Sequence, residues 1–202
     1  KAFLVGGGVR DLLLGRKPKD FDIGTDASPQ QVKKLFRNCF IIGRRFRLCH
    51  VRFGNKVVEV ATFRRKAEPE EGDTIVKRDN TFGTPEEDAF RRDFTINGLS
   101  VDAEGIVHDH VGGLADIAAR RVRFIGDAGQ RIAEDYLRIL RFFRMHAAYG
   151  TGEPDRAGYL ACIAGRAGLA SLSAERVRME MLKLVVAEGA GDAVQAMADA
   201  GL

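Results

Sequence analysis

The chain opens with short apolar runs, "AFLV" and "FDIG", separated by three glycines and by "VRDLLLG", in which polar and apolar positions are mixed. Runs that short, bounded by glycine, predict strands, and the mixed stretch predicts the start of an amphipathic helix. "SPQQVKKLF" predicts a helix from its own chemistry: Ser28 can cap it, Pro29 fits its first position, and Val32, Leu35 and Phe36 share one face. "HVRFGNKVVEVATF" predicts two strands folded about Gly54 and Asn55 as a hairpin. Residues 66–81 are polar, carry Pro and Gly and lack periodicity, which predicts a mobile loop.

Beyond that loop, "TPEEDAFRRDFTINGLSVD" predicts a helix capped at Thr84 and Pro85 that leads into the strand "LSVD". "GIVHDHVGGL" and "RRVRFIG" predict two further short strands with turns. From about residue 127 onward Ala, Leu and Arg recur at helical spacing and the glycine-punctuated strands stop. The pattern therefore implies an α+β region over residues 1–125 and an all-helical region over residues 126–202. No internal repeat or low-complexity tract interrupts it.

Composition narrows the class. With 202 residues, 45% of them hydrophobic and 30% charged, the chain can bury a core as one large domain or two small ones. Its net charge of +4 is carried by arginine clusters, among them Arg44, Arg45 and Arg47, then Arg64 and Arg65, then Arg91 and Arg92. Such clusters hint at a phosphate-bearing partner. Cys39, Cys49 and Cys162 are odd in number and form no CxxC pair, which argues against a disulfide framework or a zinc site and for a reducing cytoplasm. No apolar run approaches the roughly 18 residues of a membrane helix, so no membrane association is expected. The start without Met and the end at "MADAGL" suggest a piece of a longer protein.

The candidate chemistry begins in "KPKDFDIGT", where Asp20 and Asp22 are one residue apart. On a strand such residues share a face, so the two carboxylates should project together while Phe21 and Ile23 enter the core. Two like charges held side by side cost free energy unless a cation neutralises them, and Mg²⁺ suits one or two carboxylates plus substrate phosphates. A solvated turn would explain the pair equally well if it stood alone. It does not: Gly6, Gly7 and Gly8 precede a helix start carrying Arg10, an arrangement that offers backbone N–H groups and a cation to a triphosphate.

"LVGGGVRDLLLGRKPKDFDIGT" resembles the head-domain signature of the class II poly(A) polymerases and tRNA CCA-adding nucleotidyltransferases. "VEVATFRR", "EEDAFRRDFTINGL", "HDHVGGLADI", "RRVRFIG" and "EDYLRILRFFR" extend the resemblance over residues 3–150. It implies a nucleotidyltransferase-type head with a small mixed sheet flanked by helices, followed by a helical neck that stops short of the RNA-binding body and tail. It further implies template-independent addition of nucleotides to an RNA 3′ end, with two Mg²⁺ ions. By resemblance Asp20 and Asp22 match the metal-binding pair, Asp93 a third acidic residue, and Gly7, Arg10 and Arg92 the nucleotide-phosphate contacts.

Other residues leave alternatives. In "VVEVATF" Glu59 points away from Val58 and Val60, so it is a second candidate for the third carboxylate beside Asp93. In "EDYLRILRFFR" Asp135, Arg138, Arg141 and Arg144 recur every three residues and should form a spiralling stripe on one helix side. A carboxylate and a guanidinium side by side can accept from an exocyclic amine and donate to the adjacent ring nitrogen, the edge that adenine and cytosine share. Asp135 and Arg138 would then admit ATP, and CTP with it, and refuse GTP and UTP. Arg141 and Arg144 would lie near phosphate or the helix's own carboxylates. His108 and His110 in "HDHVGG" fit a structural or surface role.

The product stays open between two neighbours. "FIIGRRFRLCHVRFG" resembles bacterial poly(A) polymerases, whereas "EGIVHDHVGGLADIAARRVRFIG" onward resembles CCA-adding enzymes. The expectation is poly(A) addition from ATP to mRNA or tRNA 3′ ends, with CCA or A addition to tRNA as the alternative and an inactive RNA-binding fragment as a third reading.

Overall fold

The computed structural model describes residues 1–43, 48–65 and 82–202. The loop expected at 66–81 and the cluster of Arg44, Arg45 and Arg47 lie outside them. The chain divides into two compact units, Lys1–Arg92 with Ile96–Gly113, and Asp93–Thr95 with Leu114–Leu202.

In the first unit the described strands form a mixed sheet in the order β3-β4-β5-β2-β1-β6-β7. They are β1 (Ala2–Val5), β2 (Asp22–Thr25), β3 (Cys39–Ile42), β4 (Leu48–Phe53), β5 (Lys56–Thr62), β6 (Leu99–Val101) and β7 (Val107–Asp109). Only β2 and β5 pair in parallel; the other neighbours are antiparallel. Helices α1 (Gly7–Leu13), α2 (Pro29–Leu35) and α3 (Pro85–Phe90) connect them.

Local chemistry accounts for the boundaries. Ser28 and Thr84 each accept the backbone N–H three residues on, while Gln31 and Glu87 reach back to the cap N–H, and Pro follows both caps. Four orphan donors of these two helices are thereby satisfied. Gly54 at φ 58° turns β4 into β5, as the hairpin reading required.

One row of register partners crosses the entire sheet: Phe40, His50, Glu59, Asp22, Val5, Ser100 and His108. The next row shows the opposite face, where Ile23, Val60 and Cys49 are aligned. That face is packed by Val32 of α2, Cys39, Val51 and Val58 into a continuous apolar cluster. The polar row thus sits on one face because the alternate residues of the same strands are buried on the other.

One expectation fails, at the start of a strand. Phe21 does not enter the core; it is 47% exposed, because β2 begins only at Asp22 and the preceding residues are not held by the pleat. Leu35 does not join Val32 in the core and is 74% exposed. Helix α2 ends there, and extended Phe36 packs edge-on against Phe53 at 5.9 Å.

The second unit is helical: α4 (Gly113–Ala118) leads into it, then α5 (Ala128–Glu134), α6 (Leu137–Tyr149), α7 (Arg156–Gly165), α8 (Ala174–Val185) and α9 (Ala190–Asp199) follow. Its core holds Phe94, Phe124, Phe142 and Phe143, with Phe124 and Phe142 stacked at 5.5 Å and 13°. The expected strand "RRVRFIG" is reduced to one bridge, Phe94 to Phe124. Val122 and Phe124 are buried in this core, while Arg121 and Arg123 turn to the fully buried Asp116, so the segment is bound to Asp93–Thr95 instead of to the sheet. For that reason the compact units part at Gly113, upstream of residue 125.

Candidate functional site

The glycine turn comes first in the chain and sets the geometry. Gly6 has φ 72° and ψ −134°, a conformation open to glycine, and α1 starts directly behind it. A Cβ on Gly6 would lie 2.6 Å from Arg92 Nη1, and one on Gly8 would lie 3.2 Å from the carbonyl oxygen of Asp20. Glycine at these two positions lets the turn close on both Arg92 and the acidic pair.

Asp22 is the first residue of β2, and Asp20 lies just before the strand. Burial is the main cause of a raised pKa at Asp22; the charges of Glu59 and Asp20 push it further up, and Arg92 opposes them. Two further carboxylates and one guanidinium therefore act on Asp22. Among the described residues no group of three or more His, Cys, Asp or Glu side chains is arranged to hold a metal ion. Mg²⁺ does not need such a cage, since it keeps several waters and binds through one or two carboxylates together with substrate phosphate. The hard oxygen donors of Asp20 and Asp22, whose crowding a cation would relieve, fit that chemistry.

Arg92 is held from two sides. Its Nε and Nη2 donate to Asp88 Oδ2 at 3.2 and 3.1 Å, and its Nη1 donates to the carbonyl of Asn97 at 3.4 Å. Asp88 is itself buried and also receives Arg91 and the backbone N–H of Arg64. Arg10 is buried against its own turn: Nε and Nη2 donate to Asp11 Oδ1 at 2.9 and 2.8 Å, and Nη1 to Asn97 Oδ1 at 2.5 Å. A Cβ on Gly7 would stand 3.3 Å from that guanidinium.

Glu59 projects from β5 directly opposite Asp22 and opposite His50 on its other side, with His50 Nε2 3.3 Å from Glu59 Oε1. Asp93 belongs to the helical unit, where Arg141 Nη2 lies 2.5 Å from its Oδ2 and its Oδ1 accepts the N–H of Phe94.

The helical unit also separates the expected stripe. Asp135 is the extended C-cap of α5 (φ −161°), not a residue of α6, and its Oδ1 accepts the N–H of Leu137 where α6 begins. Its Oδ2 accepts from Arg176 at 2.7 Å. Arg138 donates to Glu134 and to the carbonyl of Arg131, and Arg144 pairs with buried Glu180 at 2.5 Å. The Nε of Arg141 is buried and has no hydrogen-bond partner among the described residues. His108 lies 2.7 Å from Asp102 and edge-on to Phe3, a local packing arrangement.

Sequence reading missed His50, Asp88, Asn97 and Arg176. The spacing of Asp88 and Arg92 is a legible helical signal. Asn97 and Arg10 are 87 positions apart and carry no such signal.

Comparison with known proteins matches residues 2–123 to the poly(A) polymerase head domain. Poly(A) polymerase I of Salmonella typhimurium is 52% identical over 170 residues, covering 76% of this chain and 37% of that protein. The CCA-adding enzyme of Bacillus licheniformis is 36% identical over 207 residues, covering all of this chain and 50% of that protein. The CTP complex of the Bacillus stearothermophilus CCA-adding enzyme superposes with a TM-score of 0.89 at 35% identity, over 100% of this chain and 48% of that one. The chain thus spans half or less of the length of each of these relatives.

Proposed function

The chain belongs to the poly(A) polymerase head-domain family, and from that premise we propose that it takes part in template-independent transfer of AMP from ATP to RNA 3′ ends. The observation that carries this reading is the convergence on Asp22 of Asp20, Glu59 and Arg92 beside a glycine turn that closes on both Arg92 and Asp20. The 52% identity to a poly(A) polymerase I supports AMP addition over CCA addition.

In this reading Asp20 and Asp22 hold Mg²⁺. When bound, the metal lowers the pKa of the RNA 3′-hydroxyl and neutralises the triphosphate and departing pyrophosphate. The remaining work falls to the chain. Gly7 and the turn around it offer backbone N–H groups to phosphate, and Arg92, fixed by Asp88 and Asn97, presents a guanidinium at the turn. Arg10 acts from behind, bracing the turn through Asp11 and Asn97. Glu59 supplies the third carboxylate, since strand register sets it opposite Asp22. Asp93 takes that role instead if Glu59→Gln keeps activity and Asp93→Asn removes it.

In the helical unit, reading of the amine and ring nitrogen of adenine or cytosine by Asp135 and Arg138 requires Arg176 and Glu134, which now hold them, to give way. Arg141 is paired with Asp93 and Arg144 with Glu180, so a nucleotide contact at either requires its pair to open. The three unpaired, buried cysteines suit a reducing compartment. No described helix is long and apolar enough to cross a membrane.

The test incubates the chain with a short RNA, Mg²⁺ and each nucleoside triphosphate singly, beside Asp22→Ala. Extension with ATP alone, lost in the variant, is the expected result. Limited C and A addition to tRNA would assign CCA synthesis instead, and no extension at all would leave an RNA-binding role.

A further inference from the structure

His50, Glu59 and Asp22 stand abreast on β4, β5 and β2 as consecutive register partners, so their side chains leave the same face of the sheet. Antiparallel partners such as His50 and Glu59 bring their Cβ atoms to about 4.5–5.5 Å, within reach of one another's side chains. His50 Nε2 is 3.3 Å from Glu59 Oε1, and the charge of Glu59 acts on Asp22.

Left to itself, Glu59 would not remain there. Its side chain is 48% exposed, rotates about three bonds, and is repelled by the carboxylate of Asp22. Water offers it an alternative on the side away from Asp22. His50 is only 28% exposed and rotates about two bonds, and an N–H on its Nε2 gives Glu59 an attractive contact.

We propose that His50 is a positioning residue that holds the carboxylate of Glu59 beside Asp22. The inference rests on the reading of this face as the nucleotidyl-transfer centre. His50 touches neither nucleotide nor RNA in it; its effect passes through Glu59.

The test is a double-mutant cycle of His50→Ala and Glu59→Ala with two readouts. The first is steady-state RNA extension: His50→Ala lowers kcat about tenfold with the KM for ATP within about twofold, and it costs nothing further when Glu59 is already Ala. His50→Gln, which keeps an N–H donor at similar reach, recovers kcat to within about threefold of wild type. The second readout is Mn²⁺ affinity by electron paramagnetic resonance titration, which needs no turnover. Each single variant weakens Mn²⁺ binding several-fold, and the double variant weakens it no more than Glu59→Ala alone. Thermal melting of each variant confirms the fold.

Wild-type kcat and Mn²⁺ affinity in His50→Ala, or losses that multiply in the double variant, would overturn the inference. An inactive wild-type chain would instead overturn the transfer reading, while the Mn²⁺ cycle would still decide the role of His50.

Discussion

Asp22 on β2 and Glu59 on β5 are direct register partners across the one parallel strand pair of the described sheet, so two carboxylates leave one face side by side. Burial and the charge of Glu59 raise the pKa of Asp22. A carboxyl group whose pKa is raised on folding costs stability while it is ionised, and the cost fades as pH falls and the folded state takes up the proton first. Asp22→Asn therefore melts at a higher temperature than wild type in EDTA at neutral pH, and the gap narrows as the pH approaches the carboxylate range. Scanning calorimetry across pH checks this. Under the proposed transfer function, the same variant is expected to lose RNA extension by about a hundredfold or more.

Gly6→Ala tests the closeness of the turn to Arg92. The residue would have to hold φ 72°, and its Cβ would meet Arg92 Nη1 at 2.6 Å. The backbone term alone costs about 1 kcal/mol or more. Arg92 is expected to swing aside, so under the proposed function ATP affinity falls about tenfold, as removal of one charged hydrogen bond does. Equilibrium binding of ATP beside thermal melting separates the two effects.

The pair Arg141–Asp93 ties the segment Asp93–Thr95 into the helical unit. Asp93 is 11% exposed and Arg141 35%, so water screens the pair in part. Asp93→Ala and Arg141→Ala each cost about 1–2 kcal/mol, and the double variant costs less than their sum. Urea unfolding of the three variants reads the coupling directly.

His146 gives the helical unit an acid limit. Burial is the main cause that holds its imidazole pKa below the ordinary 6.5, against a weaker opposing contact from the carbonyl of Gly152. An imidazole with a depressed folded pKa contributes its full stability above the unfolded pKa and loses it as pH falls toward the folded one, because the unfolded chain binds the proton first. Stability is thus expected to fall as the pH drops below about 6.5, the unperturbed imidazole value. In His146→Gln that part of the pH dependence disappears, as denaturant melts at stepped pH would show.

The amino-acid sequence by itself fixed whatever depends on neighbours within four positions. Ser28 with Gln31 and Thr84 with Glu87 close their capping boxes, Pro29 and Pro85 occupy first helical positions, and Gly54 turns the hairpin, all through contacts local enough to follow from spacing. The acidic pair and the glycine turn were legible for the same reason. Phe21 was misread because burial at the end of an element depends on where the element stops, which alternation alone does not tell.

Only the tertiary structure decided which charges meet. The parallel pairing of β2 with β5 depends on chain from elsewhere and sets Glu59 opposite Asp22, whereas His50 meets Glu59 through the β4–β5 hairpin. Asn97 reaches Arg10 across 87 positions. Asp93 joins Arg141 because Phe94 is buried with Phe124 and Phe142, a packing preference that draws three residues out of one unit and into the other. Spacing along a chain governs contacts that form without closing a loop, whereas register and burial are settled by the whole core at once.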